Sequence, residues 1–262
     1  MVNYLKSFAL GIRKVVLWGG IAANLGLLGY FKYANFFVDS INSLVGSNWN
    51  LEKIILPLAI SFFTFQQVTY LVDTYRGKQS ERNFLRYCLF VSFFPQLIAG
   101  PIVHHSEMLP QFSRPQVYRF ELDRIAIGLT IFFLGLFKKT VLADNVGPYA
   151  DEIFLAADQG EVVTFLEAWI GVLSYTFQIY FDFSGYSDMA IGLGFLFGIR
   201  LPVNFLSPYR SQSIVEFWRR WHITLSRFLK DYLYIPLGGN RRGRFRKQLN
   251  LMTTMILGGL WH

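Results

Sequence analysis

The chain has 262 residues, 53% of them hydrophobic and 18% aromatic, only 16% charged, and a net charge of +8. Soluble domains carry about 25% charged residues, so this composition excludes an ordinary soluble fold and points to a multi-pass membrane protein. The positive charge does not signal nucleic acid, which would leave the apolar segments unexplained, and the single Cys88 excludes an intrachain disulfide or a paired-thiolate metal site.

In chain order, apolar segments run Val15–Val38, Ile54–Val72, Phe84–Val103, Ile125–Phe137 continued past Lys138 and Lys139, and Val162–Phe183. A helix needs about 20 such residues to span a bilayer. Lys138 and Lys139 are expected to snorkel. Pro95, Gly100 and Pro101 break the third segment, which reads as re-entrant rather than crossing. Met189–Ile199 is too short to span and reads as buried or re-entrant. The last segment, Leu249–His262, stops at the chain end. No cleavable signal peptide is evident after Lys6, Arg13 and Lys14, and Cys88 reads as a small buried apolar residue.

Loop charges suggest sidedness. Thr74–Arg86 and His104–Arg124 are basic, and eleven of the 25 Lys and Arg fall between Arg200 and Lys247. Asp144–Glu161 holds five acids and no base. By the positive-inside rule the basic loops are cytoplasmic and the acidic stretch faces outward. The chain reads as one membrane unit, without repeat or linker, and as a piece of a longer protein. The expected fold class is thus an all-α, multi-pass integral membrane bundle with re-entrant and interfacial helices.

Four constellations can carry chemistry. Drawn as one helix, Glu216–Tyr232 places Trp218, His222, Leu225, Leu229 and Tyr232 on one face and Glu216, Arg220, Thr224, Arg227 and Asp231 on another. An interfacial amphipathic helix explains all of this except a histidine on the apolar side. The second constellation is Trp261–His262, which closes an uncharged run containing Gly258 and Gly259. A neutral histidine there takes up a proton at little cost. In Tyr180–Asp188, Asp182 and Asp188 flank an expected Ser184–Gly185 turn; a cap satisfied by backbone amides and a catalytic role are both open. The fourth is the pair His104–His105. They project differently from a regular element and match no metal spacing, so they read as interfacial loop residues and no metal site is expected.

Taken together, the stretches SFFTFQQVTYLVDTYRG (61–77), FFPQLIAGPIVHHSEMLPQF (93–112), YFDFSGYSDMAIGLG (180–194), NFLSPYRSQSIVEFWRRWHITLSRFLKDYLYIPLGGNRRG (204–243) and GGLWH (258–262) resemble the membrane-bound O-acyltransferase family. LYIPLGGNR is similar to its bacterial alginate O-acetylase-like branch rather than its D-alanyl-transferring branch. The resemblance puts His262 on the family's invariant histidine and His222 on a second shared polar position. It implies acyl transfer to a hydroxyl, with His262 as general base and His222 polarising, orienting or relaying. Trp218, Trp221 and Tyr232 would wall the passage, with Asp182 also lining the substrate site. Arg241 and Arg242, with Arg244, Arg246 and Lys247, would draw the phosphates of an acetyl-CoA-like donor, a role that anionic lipid headgroups fill equally well. No cofactor beyond that donor substrate is implied. The expected partners are the lipid bilayer and an extracytoplasmic acetyl-handling protein, and the expected location is the bacterial inner membrane. A D-alanyl transferase or a non-enzymatic sugar or lipid flippase are the alternatives.

Overall fold

A computed structural model describes residues 10–78, 80–97, 100–241 and 243–261. Among these residues the regular elements are all helical. The chain divides into two compact units, one of residues 1–98 and 102–114, the other of 99–101 and 115–262.

In the first unit, α1 (Leu10–Leu28) passes through a π-helical turn, Gly29–Tyr33, into α2 (Ala34–Val45). The run Gly11–Val45 is long and apolar enough to cross a membrane, and only 11% of its most apolar stretch is buried. Such a surface suits lipid, where a helix satisfies its own backbone. The second apolar segment becomes helical only at Ile60, after Ala59 in the left-handed region, and α3 continues to Tyr75. It packs on α1, where Gly20 lies against Leu71.

Asn83 caps α4 (Phe84–Ser92), accepting from the amides of Leu85 and Arg86 at 2.9 and 3.3 Å. Extended Phe93 then separates α4 from the single turn α5 (Phe94–Leu97). The chain leaves the helix at Phe93, so the buried Phe90 carbonyl loses its helical donor and accepts from the side chains of Gln66 (3.2 Å) and Gln96 (2.7 Å). The apolar segment is therefore broken even earlier than its prolines suggest. Cys88 is partly exposed, not buried. The unit closes with α6 (His105–Phe112) beside α4.

The second unit is built on two long helical runs. The first comprises α7 (Leu122–Phe137), a π-helical segment Lys138–Ala143, and α8 (Asp144–Asp158). It too is long and apolar enough to span, and only 11% of its most apolar stretch is buried. The acidic stretch read as an outer loop is thus mostly the helix α8. The second run, α9, is one unbroken helix, Phe165–Leu196, of 32 residues. At 1.5 Å per residue it is about 48 Å long. Its start is fixed by a capping box between Thr164 and Glu167.

No turn interrupts α9 at Ser184–Gly185, and Met189–Leu196 is not a separate segment. Gly185, expected at that turn, serves the packing of the helix instead. Gly135 and Gly185 face each other, as do Gly128, seven residues earlier on α7, and Gly192, seven residues later on α9. A Cβ on Gly135 would lie 2.6 Å from the Gly185 carbonyl oxygen, and one on Gly192 2.6 Å from that of Gly128. Small residues at these points let the backbones meet, the usual device for helix pairing in lipid.

The Glu216–Tyr232 region is not one helix. Ser213 caps α10 (Ile214–Arg220), which ends at an extended Trp221. His222 then adopts φ 42°, ψ 55°, and α11 (Ile223–Leu229) starts anew before a π-helical turn, Lys230–Tyr234. The continuous apolar face expected for Trp218, His222 and Tyr232 therefore does not exist. The final helix, α12 (Gly243–Trp261), packs on the π turn, and Asn250 donates to the Gly239 carbonyl at 3.0 Å. Gly258 of α12 lies against Leu229, so the segment leading to His262 packs on the end of α11.

Candidate functional site

His222 lies in a buried polar network of the second unit. Its ring is 5% exposed. Phe183 meets it edge-on at 4.8 Å, and Phe205 stacks at 6.3 Å between ring centres. Asn204, wholly buried, organises the polar contacts. Its Oδ1 lies 3.1 Å from His222 Nδ1, and also accepts from the Thr224 amide at 3.3 Å and the Thr224 hydroxyl at 2.9 Å. Its Nδ2 donates to Ser187 Oγ on α9 at 3.1 Å.

Backbone bonds clamp the same place. The Ile223 amide donates to the Asn204 carbonyl and the Leu206 amide to the Arg220 carbonyl, each at 2.9 Å. They hold the chain on both sides of His222 and fix its left-handed conformation. That conformation costs a side-chain-bearing residue about 1–2 kcal/mol, and strain of this kind concentrates at functional sites.

Trp221 neighbours His222 in sequence and packs in an aromatic cluster joined to it through Phe205. It stacks on Phe217 at 5.5 Å and meets Phe205 at 5.1 Å, with Tyr180 and Tyr209 on its flank. Tyr209 donates to the Thr176 carbonyl at 2.7 Å, and burial holds its hydroxyl above the usual phenol range. Glu216 supports α10. Its carboxylate accepts from the Gln212 amide at 2.9 Å and pairs with Arg220 at 2.7 Å. The amide, with Arg220 adding to it, holds the carboxyl below the usual range. Trp218 is 44% exposed and meets Phe217 edge-on at 5.6 Å, while Tyr232 stacks on Phe228 at 5.3 Å. Arg241 is exposed, and Arg242 and His262 lie outside the described residues.

Asp182 caps no turn, because α9 runs unbroken through it. It pairs with Lys139 at 2.9 Å, and Lys139 also bonds Asp144. Lys138 pairs with Asp188 at 2.5 Å. Both lysines, expected to snorkel, are instead matched by carboxylates on neighbouring turns, presented by the π-helical segment. Such segments recur where a helix must redirect side chains. On α9, Asp182, Gly185 and Asp188 share the stripe that faces α7 and the π segment. Phe183 and Ser187 lie on another, toward His222. The ion pairs and the histidine network therefore occupy different faces of one helix.

A second polar cluster, in the first unit, was not anticipated. Asp73 near the end of α3 is wholly buried. Lys78 reaches its Oδ2 at 2.9 Å, and the Nδ1 atoms of His104 and His105 lie 3.9 and 3.8 Å from the same oxygen. His105 also meets Tyr70 edge-on at 4.8 Å. The adjacent histidines are thus not interfacial loop residues. Extended His104 gives way to helical His105 at the α6 start, and that change of backbone turns both rings to one carboxylate. The polar stripe Gln66, Thr69, Asp73 inside an otherwise apolar segment is the signal that could have found the acid. Among the described residues no group of three His, Cys, Asp or Glu side chains is arranged to hold a metal ion.

Among the described residues the fold is all-helical, with two runs long and apolar enough to cross a membrane and a strained histidine in a buried polar network. The chain belongs to the membrane-bound O-acyltransferase family, whose model matches residues 79–262. It is 52% identical to a peptidoglycan O-acetyltransferase of Helicobacter pylori over 93% of this chain and 50% of that protein. It is 49% identical to a probable alginate O-acetylase of Azotobacter vinelandii, over 93% of this chain and 48% of that protein. A teichoic acid D-alanyltransferase of Bacillus subtilis is 28% identical over 70% of this chain and 46% of its own length. The chain spans about half the length of the curated relatives it matches.

Proposed function

We propose that the protein transfers an acetyl group from a thioester donor, acetyl-CoA or a like molecule, to a hydroxyl of an exported or cell-envelope polysaccharide, alginate or peptidoglycan being the acceptors its relatives' names suggest. The observation that carries this reading is family membership across residues 79–262, joined to a strained, buried His222 in the matched region. The contrast of 52% and 49% identity to O-acetyl-transferring relatives with 28% to a D-alanyl-transferring one favours acetyl over D-alanyl.

In this mechanism His262 takes the proton of the acceptor hydroxyl as its oxygen attacks the thioester carbonyl. The new C–O bond forms, the C–S bond breaks, and the proton passes to the departing thiolate. His222 acts beside it, and the aromatic groups around Trp221 exclude water. The basic run beginning at Arg241 and Arg242 draws the donor's phosphates on the cytoplasmic side. The protein acts as a multi-pass protein of the bacterial inner membrane, in which Phe84–Val103 is re-entrant, and it hands product to an extracytoplasmic acetyl-handling partner.

Purified full-length protein, assayed with labelled acetyl and D-alanyl thioesters, tests the reading. His262→Ala should abolish transfer while leaving expression and membrane insertion unchanged. Wild-type turnover in that variant would remove His262 as the base, and transport without transfer in the parent protein would favour a flippase. Labels on cysteines introduced at positions 78 and 114 of a Cys88→Ser protein should react from the same side. Reaction from opposite sides would reject the re-entrant segment.

A further inference from the structure

We infer that Asn204 is a positioning residue that fixes the tautomer of His222, so that the neutral ring carries its proton on Nδ1 and its lone pair on Nε2. This rests on the reading of His222 as part of the acyl-transfer site, but its main evidence is independent of that reading.

The inference follows from donors and acceptors. An amide side chain has one accepting and one donating end, and the two are told apart by their partners. The Thr224 backbone N–H can only donate. The Asn204 atom it meets at 3.3 Å must therefore be oxygen. The Thr224 hydroxyl, 2.9 Å from the same atom, donates to it as well. The other end, the NH2 group, finds Ser187 Oγ at 3.1 Å as its acceptor. With the amide so oriented, His222 Nδ1 faces an oxygen at 3.1 Å and must bear the proton. The bond partner of one ring nitrogen sets the state of the other.

Geometry leaves little room for an alternative. Asn204 is wholly buried and Ser187 nearly so. Flipping the amide would set its NH2 against the Thr224 amide, two donors facing each other in a dry site, each left without an acceptor. Rotating the ring is opposed by Phe183 and Phe205 and by the left-handed backbone.

The consequence selects among roles for His222. A neutral ring with Nδ1–H committed to Asn204 accepts at Nε2 and does not donate there. It can orient an incoming hydroxyl, or take a proton from a neighbour and pass it on. It does not polarise the thioester carbonyl, which would need a donor at Nε2. Ser187 extends the chain of positioning to α9, so that helix, amide and imidazole form one series from a rigid element to the ring.

The test uses full-length protein in lipid nanodiscs, labelled with 15N-histidine, with His222 assigned by its loss in His222→Gln. At a pH where the ring is neutral, the wild-type spectrum should show a protonated Nδ1 and an unprotonated Nε2. In Asn204→Ala the two tautomers should mix, and kcat should fall roughly 10- to 100-fold, the usual cost of losing an outer partner of a functional histidine, with KM little changed. Asn204→Asp keeps the acceptor. It should keep the tautomer and move the acidic limb of the pH–rate profile upward by about one unit, because a carboxylate favours the protonated ring. An Nε2–H tautomer in the wild type overturns the inference, as does an unchanged tautomer in Asn204→Ala. The wild-type spectrum decides even if a variant fails to fold. Full acetyl transfer by His222→Gln alongside the expected spectrum would instead remove His222 from the reaction and leave the tautomer assignment standing.

Discussion

Two faces of α9 treat polar groups in opposite ways. Toward α7 and the π segment, the helix offers Asp182 and Asp188 to Lys139 and Lys138, beside the glycine contact of Gly135 with Gly185. Toward the chain around His222, it offers Phe183 and Ser187, and the polar contacts there are uncharged. Charges at membrane depth are expensive unless matched, and the ionic face matches them where two backbones touch. That face reads as a weld. The neutral face instead fixes one ring in a strained conformation, the investment expected of a working site. Formal charge and the strained histidine are thus separated on a single helix.

The strongest test of the weld is steric. Gly185→Leu places a side chain where even a Cβ would be 2.7 Å from the Gly135 carbonyl oxygen. Overpacking typically costs about 1–3 kcal/mol, and a rigid backbone opposite should put this variant at or above the upper end. Most of the protein should fail to fold, seen as loss of a monodisperse peak in detergent. A well-folded Gly185→Leu protein would show that the helices separate freely.

A smaller effect should follow from breaking one ion pair. Asp188→Ala leaves Lys138 without its carboxylate. Deleting one partner of a fully buried pair costs about 3–5 kcal/mol, and here both side chains are 30% exposed, so about 1–3 kcal/mol is expected. Replacing both, as Lys138→Met with Asp188→Leu, should recover most of the loss in thermal unfolding. Turnover per folded molecule should stay near that of the parent in both variants. A large loss of turnover in the stable double variant would break the division between weld and site.

The apolar segments and the break near Pro95 were legible in the sequence, because each is a local pattern or composition, whereas Gly185 passed for a turn residue and its pairing with Gly135 went unread. The ion pairs were not, since Lys138 and Asp188 are fifty residues apart and nothing in their flanks names a partner. Asp73 and the two histidines near it are separated by more than thirty residues, and His104 and His105 converge only because the backbone changes from extended to helical between them. His222 was visible as a histidine on an apolar face. The left-handed kink that makes it special was hidden, since the apolar positions keep a helical period across it while the bonds from Ile223 to Asn204 and from Leu206 to Arg220 hold the break. Tertiary contacts there override a strong local helical pattern.

The smallest effect sharpens the comparison from the neutral side. Glu216 lies in the first turn of α10, the helix whose last carbonyl receives the Leu206 amide just before His222. Its carboxylate is held by the Gln212 amide and Arg220, so its folded-state pKa lies below the unfolded value. A depressed pKa means that the stabilisation is fully present above the ordinary glutamate value, about 4.3, and is lost as pH falls through the lower folded value. Glu216→Gln should thus be slightly less stable than the parent at neutral pH. The difference should shrink on acidification and vanish once the parent's carboxyl is protonated. Thermal unfolding of both proteins across the acidic range measures this directly. Because the pair is exposed, the shift should be small, and it should appear with little change in the α7–α9 contact, followed by hydrogen exchange on the α9 amides around Gly185. A gap between the two proteins that widens on acidification would mean that the carboxylate is not stabilised in the folded state, and that the clamp on His222 rests on its backbone bonds alone.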